Sequence, residues 1–122
     1  MEVAKSLILQ IKKDGTFAKV LKRKYMGTRI EYLNVLQRFK QEHGNEYGIT
    51  RIGIFGSVSR NEHTEESDVD VLVEAPVLSL FSRIGIKYKL EEMMGVPVDV
   101  IRKTEYMRPR FKARIEKEVI YV

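Results

Sequence analysis

The chain contains 122 residues, of which 43% are hydrophobic and 32% charged, a composition typical of one soluble globular domain. It has no cysteine, which excludes disulfides, thiolate metal sites and thiol nucleophiles, so a bound metal would need oxygen ligands or the imidazoles of His43 and His63. No apolar run approaches the roughly 20 residues of a membrane helix, and no cleavage site follows the N-terminal apolar patch, so we expect a cytoplasmic protein without a membrane partner.

The net charge of +5 is unevenly distributed along the chain. Residues 1–40 carry a formal charge of +7, residues 41–101 of −6, and residues 102–122 of +4. Basic flanks could attract a polyphosphate, a nucleic acid or an acidic protein, although many of the lysines would simply be solvated. The acidic middle could hold divalent cations.

No repeat or Pro/Gly-rich linker divides the chain, so we predict a helical extension over residues 1–28 and one domain over residues 29–122. Within the extension, one short helix is predicted to end at Asp14 and Gly15 and a second before Gly27. Each has too few apolar positions for a core of its own. We therefore expect the extension to pack on the domain.

The domain is predicted to begin with a helix over residues 29–43. Thr28 and Glu31 have the spacing of a capping box. Apolar residues then recur at helical spacing, at Tyr32, Val35, Leu36 and Phe39. The turn-rich HGNEYG follows the predicted helix.

Two strands are predicted next, with the polar loop SRNEHTEES between them. TRIGIF, residues 50–55, has the character of a buried strand. Val69, Val71 and Val73 stand at alternate positions, as in a strand that is buried on one side.

A further helix is predicted to end at Gly95, with Phe81, Ile84 and Tyr88 on one apolar face. Met93 and Met94 are expected in the core. A third strand is predicted over residues 96–101.

A basic final helix is predicted over residues 109–118, ahead of the apolar tail VIYV. The order helix, strand, strand, helix, strand, helix indicates an α+β fold. We expect a small mixed β-sheet flanked by helices.

A glycine–serine turn follows the first predicted strand. Gly56 lacks a Cβ and so permits unusual backbone conformations and the close approach of a ligand. Ser57 adds a hydroxyl at the start of a short helix, where unpaired N–H groups favour anions such as phosphate. Turns use both residue types constantly, so this pair is weak evidence when considered in isolation.

Three aspartates lie among the valines of the predicted strands. Asp68 and Asp70 share one strand face, so their carboxylates repel unless a cation or proton intervenes. Asp99, between Val98 and Val100, could complete the site. Carboxylates suit magnesium, and two such ions could clamp the attacking and leaving oxygens of a phosphoryl transfer. A bare Asp-x-Asp is more often one solvated and one hydrogen-bonded aspartate.

The combination of Gly56-Ser57, ten intervening residues, an Asp-x-Asp and a later strand aspartate resembles the nucleotidyltransferase fold of the DNA polymerase beta superfamily. The likeness is greatest to its minimal nucleotidyltransferases and covers roughly residues 29–122, including the RPRFKARIEKEVIYV ending.

The resemblance implies a role for each motif residue. Gly56 and Ser57 would contact the nucleoside triphosphate, which is expected to be ATP. Arg60 matches an arginine that often follows the serine by three positions, whereas Asn61 stands where many relatives carry glycine.

The resemblance also implies a metal site. Asp68 and Asp70 would bind metal, with two Mg²⁺ ions expected. Asp99 would bind metal and help to deprotonate the acceptor hydroxyl.

By this resemblance the chain would transfer a nucleoside monophosphate to a hydroxyl and release pyrophosphate, and we expect the group to be AMP from ATP. A chain this short leaves little room for an acceptor-binding domain, so the acceptor is expected on another protein. Minimal nucleotidyltransferases are often antitoxins that neutralise HEPN-family ribonuclease toxins by adding AMP to a tyrosine. Two alternatives are a non-catalytic binding module and a small-molecule nucleotidyltransferase; direct nucleic-acid binding is not favoured.

Other polar residues have plainer interpretations. His63 is expected to be a solvated loop histidine. The final helix and the segment before it could contact nucleotide or partner, but a basic amphipathic helix is more often a solvated face. The residues concerned are Tyr106, Arg108, Arg110, Lys112 and Arg114.

Overall fold

The computed structural model describes residues 27–122, so the two helices predicted in the extension lie outside the described residues. The helices within this range are α1 (Arg29–Tyr47), α2 (Gly56–Ser59), α3 (Leu80–Met94) and α4 (Pro109–Glu118). The strands are β1 (Arg51–Phe55), β2 (Val69–Glu74), β3 (Val98–Arg102) and β4 (Ile120–Tyr121). None of these helices is long and apolar enough to cross a membrane.

The strands form one sheet in the order β3-β2-β1-β4. Strand β1 runs antiparallel to both of its neighbours, β2 and β4, whereas β2 and β3 are parallel. The mixed sheet and its flanking helices confirm the predicted α+β fold.

Helices cover both faces of the sheet, because strand side chains alternate between the faces. On one face, α1 and α3 pack on the sheet through residues that include Leu36, Phe39, Ile54, Val71 and Leu90. On the other face, α4 packs through Ile115 on Phe55 and Leu72. Strand β2 is therefore buried on both sides at Leu72, not on one side as predicted.

Helix α1 begins as predicted, because the Thr28 hydroxyl accepts a hydrogen bond from the Glu31 amide at 3.2 Å. The predicted end near residue 43 is wrong. The helix continues to Tyr47, whose ring stacks on Phe39 with centroids 6.3 Å apart. This packing extends the helix through a stretch whose composition favours turns.

The apolar face predicted for the third helix is the exposed one. Phe81 is 85% exposed, and Ile84 and Tyr88 are also exposed, whereas Ile86 and Leu90 are fully buried. Both stripes have helical spacing, so periodicity could not distinguish them. Met93 and Met94 are partly buried against the core, as expected.

The apolar tail contains a strand that the sequence analysis did not predict. Residues Ile120 and Tyr121 of β4 pair with Ile54 and Gly53 of β1. This pairing fixes the end of α4 beside the β1–α2 turn, which matters for the site described next.

Candidate active site

The three predicted aspartates lie at the starts of the parallel strands β2 and β3, on the face of the sheet that α4 covers. Asp70 and Asp99 are direct neighbours in the parallel β2–β3 pair, where adjacent strands lie roughly 4.8 Å apart. Asp68 precedes β2 and shares the alternation of Asp70.

Electrostatic coupling supports this placement of the carboxylates. Burial, followed by the negative charges of Asp99 and Asp68, raises the pKa of Asp70 to about 6. Arg114 and Arg60 oppose this effect with positive charge. Asp70 is half-buried, while Asp68 and Asp99 are exposed, so the cluster forms an open acidic edge.

Gly56 lies directly against this acidic edge. Its φ of 75° falls in the left-handed region, and a Cβ at this position would overlap the Asp70 carboxylate. Its N–H donates a hydrogen bond to Glu118 Oε2 at 3.2 Å. Both the conformation and the space at this turn therefore require glycine.

Ser57 and Arg60 extend the turn on the same side. Ser57 is half-buried and lies in the short helix α2, as predicted. Its carbonyl oxygen accepts a hydrogen bond from the Glu62 amide at 2.9 Å. The Arg60 guanidinium donates to Glu118 Oε1 at 2.8 Å and to Glu62 Oε2 at 3.1 Å. Asn61 adopts a φ of 58°, the conformation that glycine would provide.

A family model described as a nucleotidyltransferase domain matches residues 34–122, which include the turn and all three aspartates. The chain belongs to the nucleotidyltransferase family. It is an enzyme of that class. The match agrees with the resemblance drawn from the glycine–serine turn and the Asp-x-Asp.

Relatives of this nucleotidyltransferase are found by sequence and by structure. Protein adenylyltransferase MntA of Thermococcus cleftensis is 35% identical over 98 residues, which cover 80% of this chain and 98% of the relative. A solved structure provisionally described as a minimal nucleotidyltransferase is 31% identical, with a TM-score of 0.59 and coverage of 75% of this chain and 89% of that chain.

A more distant structure shares the fold of this nucleotidyltransferase. It is described as a tri-AMPylated Shewanella oneidensis HEPN toxin in complex with MNT antitoxin. The matched chain is 21% identical, with a TM-score of 0.54 and coverage of 75% of this chain and 70% of that chain.

The carboxylates of this nucleotidyltransferase are of the type that magnesium prefers. Asp68, Asp70 and Asp99 offer hard oxygen ligands, and burial followed by the negative charges of the other two aspartates raises the pKa of Asp70. Within residues 27–122, no three histidine, cysteine, aspartate or glutamate side chains form a ready-made metal cage. Magnesium needs none, because it commonly binds through one or two carboxylates together with water and substrate phosphates.

His63 is predicted to be a solvated loop histidine, but in the structure it makes contacts that hold the loop in place. Its Nε2 lies 2.8 Å from the Gly27 carbonyl oxygen, and its ring packs edge-to-face on Tyr32. Nδ1 is buried without a hydrogen-bond partner in the described part of the chain. His63 thus fastens the α2–β2 loop to the start of α1. Local sequence carries no signal for this contact, since the Gly27 partner is 36 positions away.

Two residues of α4 reach the site and were not assigned to it from the sequence. Arg114 is exposed, as expected of the basic helix, and its positive charge also acts to lower the pKa of Asp70. Glu118 contacts both Gly56 and Arg60. Tyr106 is almost fully exposed, and Arg108 and Arg110 are exposed as well.

Proposed function

We propose that this nucleotidyltransferase is a magnesium-dependent protein adenylyltransferase that moves AMP from ATP to a hydroxyl of a partner protein. The proposed acceptor is a tyrosine of a HEPN-type toxin, so the protein would act as an antitoxin. The observation that carries the proposal is the alignment of Asp70 with Asp99 in adjacent strands, beside a turn that must be glycine.

The proposed assignment of residues follows from their positions. Asp68, Asp70 and Asp99 would hold the Mg²⁺ ions, for which two sites are proposed. Bound Mg²⁺ would neutralise charge on the phosphates and on the departing pyrophosphate. The Gly56 amide, Ser57 and Arg60 would bind the triphosphate, because the turn brings a backbone donor and a guanidinium to the same place.

The proposed transfer is an in-line substitution at phosphorus, in which one bond forms and one bond breaks. The acceptor hydroxyl oxygen forms a bond to the α-phosphorus, and the bond from that phosphorus to the bridging oxygen of the β-phosphate breaks. Pyrophosphate leaves with the electron pair of that bond. Asp99, exposed at the edge of the cluster, is the proposed acceptor of the hydroxyl proton.

The choice of a protein acceptor is supported by the relatives. The T. cleftensis relative, 35% identical, is named a protein adenylyltransferase, and the fold is shared with an antitoxin found in complex with an AMPylated HEPN toxin. The open edge around Asp99 is compatible with an acceptor that arrives on another molecule. The proposed domain, residues 29–122, contains every assigned residue.

The test is incubation of the purified protein with Mg²⁺ and ATP labelled at the α-phosphate, together with a HEPN-type toxin. We expect label on the toxin, and loss of that label when the toxin's acceptor tyrosine is replaced by phenylalanine. Asp68→Asn should abolish transfer, while Glu116→Gln on the exposed side of α4 provides a control with the same change of charge.

Other outcomes would support the alternatives. The same incubation is repeated with a panel of hydroxylated small molecules in place of the toxin. Label on one of these molecules but not on protein would indicate a small-molecule nucleotidyltransferase. Tight toxin binding without any label would indicate a non-catalytic binding module.

A further inference from the structure

Glu118, the last residue of α4, lies over the β1–α2 turn. Its carboxylate accepts one hydrogen bond from the Gly56 amide, at 3.2 Å, and another from the Arg60 guanidinium, at 2.8 Å. The Glu118 side chain is only 13% exposed, whereas its Arg60 partner is 41% exposed.

These two donors are the ones that the proposed function assigns to the triphosphate. An N–H group has a single hydrogen to donate, and a carboxylate beside a phosphate oxygen repels it. Glu118 and the nucleotide therefore cannot hold the Gly56 amide at the same time.

We propose that Glu118 occupies the phosphate position of the nucleotide site and is displaced when ATP binds, so that it sets the protein's affinity for nucleotide. The inference rests on the proposed function. It adds a competing anion, supplied by the chain itself, to the residues that hold the substrate.

The surroundings of Glu118 permit the exchange. Arg60 also donates to Glu62 at 3.1 Å, so its guanidinium retains one anchor after Glu118 leaves. Glu118 ends its helix, and the backbone beyond it remains fixed because β4 pairs with β1. Rotation of one side chain is therefore sufficient to open the position.

Competition has a measurable consequence. When a side chain fills the binding position for most of the time, the apparent Kd for the ligand rises. It equals the intrinsic Kd divided by the fraction of molecules in which the position is open. Removal of the negative charge in Glu118→Gln should therefore tighten ATP binding. We expect a decrease in Kd of about tenfold, equivalent to about 1.4 kcal/mol.

The experiment is titration calorimetry of Mg²⁺-ATP, and separately of inorganic tripolyphosphate, into the wild type, Glu118→Gln and Glu118→Ala. Both variants should bind each ligand more tightly than the wild type. Glu116→Gln is the matched control, because Glu116 is on the same helix but is half-exposed, with Lys103 at 3.9 Å. Its Kd should equal that of the wild type.

An NMR measurement tests displacement directly and does not depend on the affinity change. The Gly56 amide resonance should differ between wild type and Glu118→Gln without nucleotide, because the group accepting its hydrogen bond has changed. At saturating Mg²⁺-ATP the two resonances should converge. A difference that persists at saturation would show that Glu118 stays in place and would overturn the inference.

The calorimetric outcomes separate this inference from the proposed function. Wild-type binding of ATP with equal or weaker binding by both Glu118 variants would overturn the inference and leave the nucleotide site standing; it would mean that Glu118 positions Gly56 and Arg60. Failure of wild type and both variants to bind ATP would overturn the inference and the proposed function together.

Discussion

At the scale of single residues, Gly56 is the position where backbone conformation and site chemistry coincide. Its φ of 75° and its contact with Asp70 leave no room for a Cβ. Gly56→Ala should therefore weaken nucleotide binding more than Ser57→Ala, which removes one hydroxyl contact worth roughly 0.5–1.5 kcal/mol. Calorimetry with a non-hydrolysable ATP analogue can rank the two variants. The reverse order would show that Gly56 serves only as a turn residue.

The raised pKa of Asp70 leads to a second prediction, which concerns the folding stability of the protein without bound metal or nucleotide. Its pKa is about 6 in the folded protein, against roughly 3.9 in an unfolded chain. The folded state therefore holds the proton more tightly, and the stability contributed by protonated Asp70 is present below pH 4 and lost as the pH rises through 6. Ionised Asp70 thus destabilises the metal-free fold at neutral pH.

Asp70→Asn should remove this cost. In EDTA at pH 7.5 we expect the variant to melt several degrees above the wild type, and the difference should shrink at pH 4, where Asp70 is protonated. Thermal unfolding followed by circular dichroism provides the measurement, with Glu116→Gln as the charge-matched control. A wild type that is equally or more stable at pH 7.5 would contradict the assigned coupling among the aspartates.

At the scale of elements, helix α3 shows how an apolar pattern can predict the helix but not its buried face. Leu90→Ala should cost roughly 2–5 kcal/mol, because it removes a fully buried side chain from the core. Phe81→Ala should change stability by less than about 0.5 kcal/mol, because Phe81 is largely in solvent. Denaturant unfolding compares the two. Similar costs for both would mean that the Phe81 stripe is buried in solution.

Helix α4 and the short strand β4 act as one element at the site. Pairing of β4 with β1 holds the end of α4 over the turn, where Glu118 meets Gly56. Residues 109–122 thus contribute to the candidate active site as well as to the core. Sequence pattern alone predicts only a basic helix and an apolar tail for these residues.

At the scale of the whole molecule, the proposed antitoxin role separates catalysis from partner binding. Asp99→Asn should retain much of the ATP affinity and the ability to bind the toxin, because the proposed triphosphate contacts and the carboxylates of Asp68 and Asp70 remain. Transfer should fall by at least roughly 10²–10⁴-fold, the usual contribution of a general base.

Co-expression with the toxin tests this separation. Cells carrying Asp99→Asn should not be protected, although a pull-down should still recover the complex. Glu116→Gln should protect as the wild type does. Full protection by a variant that transfers no AMP would favour a binding module that blocks the toxin by contact.

Features that depend on local pattern could be predicted from the amino-acid sequence alone. Alternation identified β2 and put Asp68 and Asp70 on one face, the glycine–serine turn was found at the end of β1, and the spacing between turn and aspartates indicated the family. The N-cap at Thr28 and the helix end at Gly95 could also be predicted, because each depends on residues only a few positions apart.

Contacts between residues that are distant in sequence could be assigned only from the folded structure. The Asp70–Asp99 register comes from the pairing of β2 with β3, and Glu118 reaches Gly56 across 62 positions of sequence. Likewise, the buried stripe of α3 depends on which side of that helix the sheet occupies. Local patterns report periodicity and turn chemistry, whereas these contacts depend on how elements distant in sequence pack, and no short stretch of the chain encodes that.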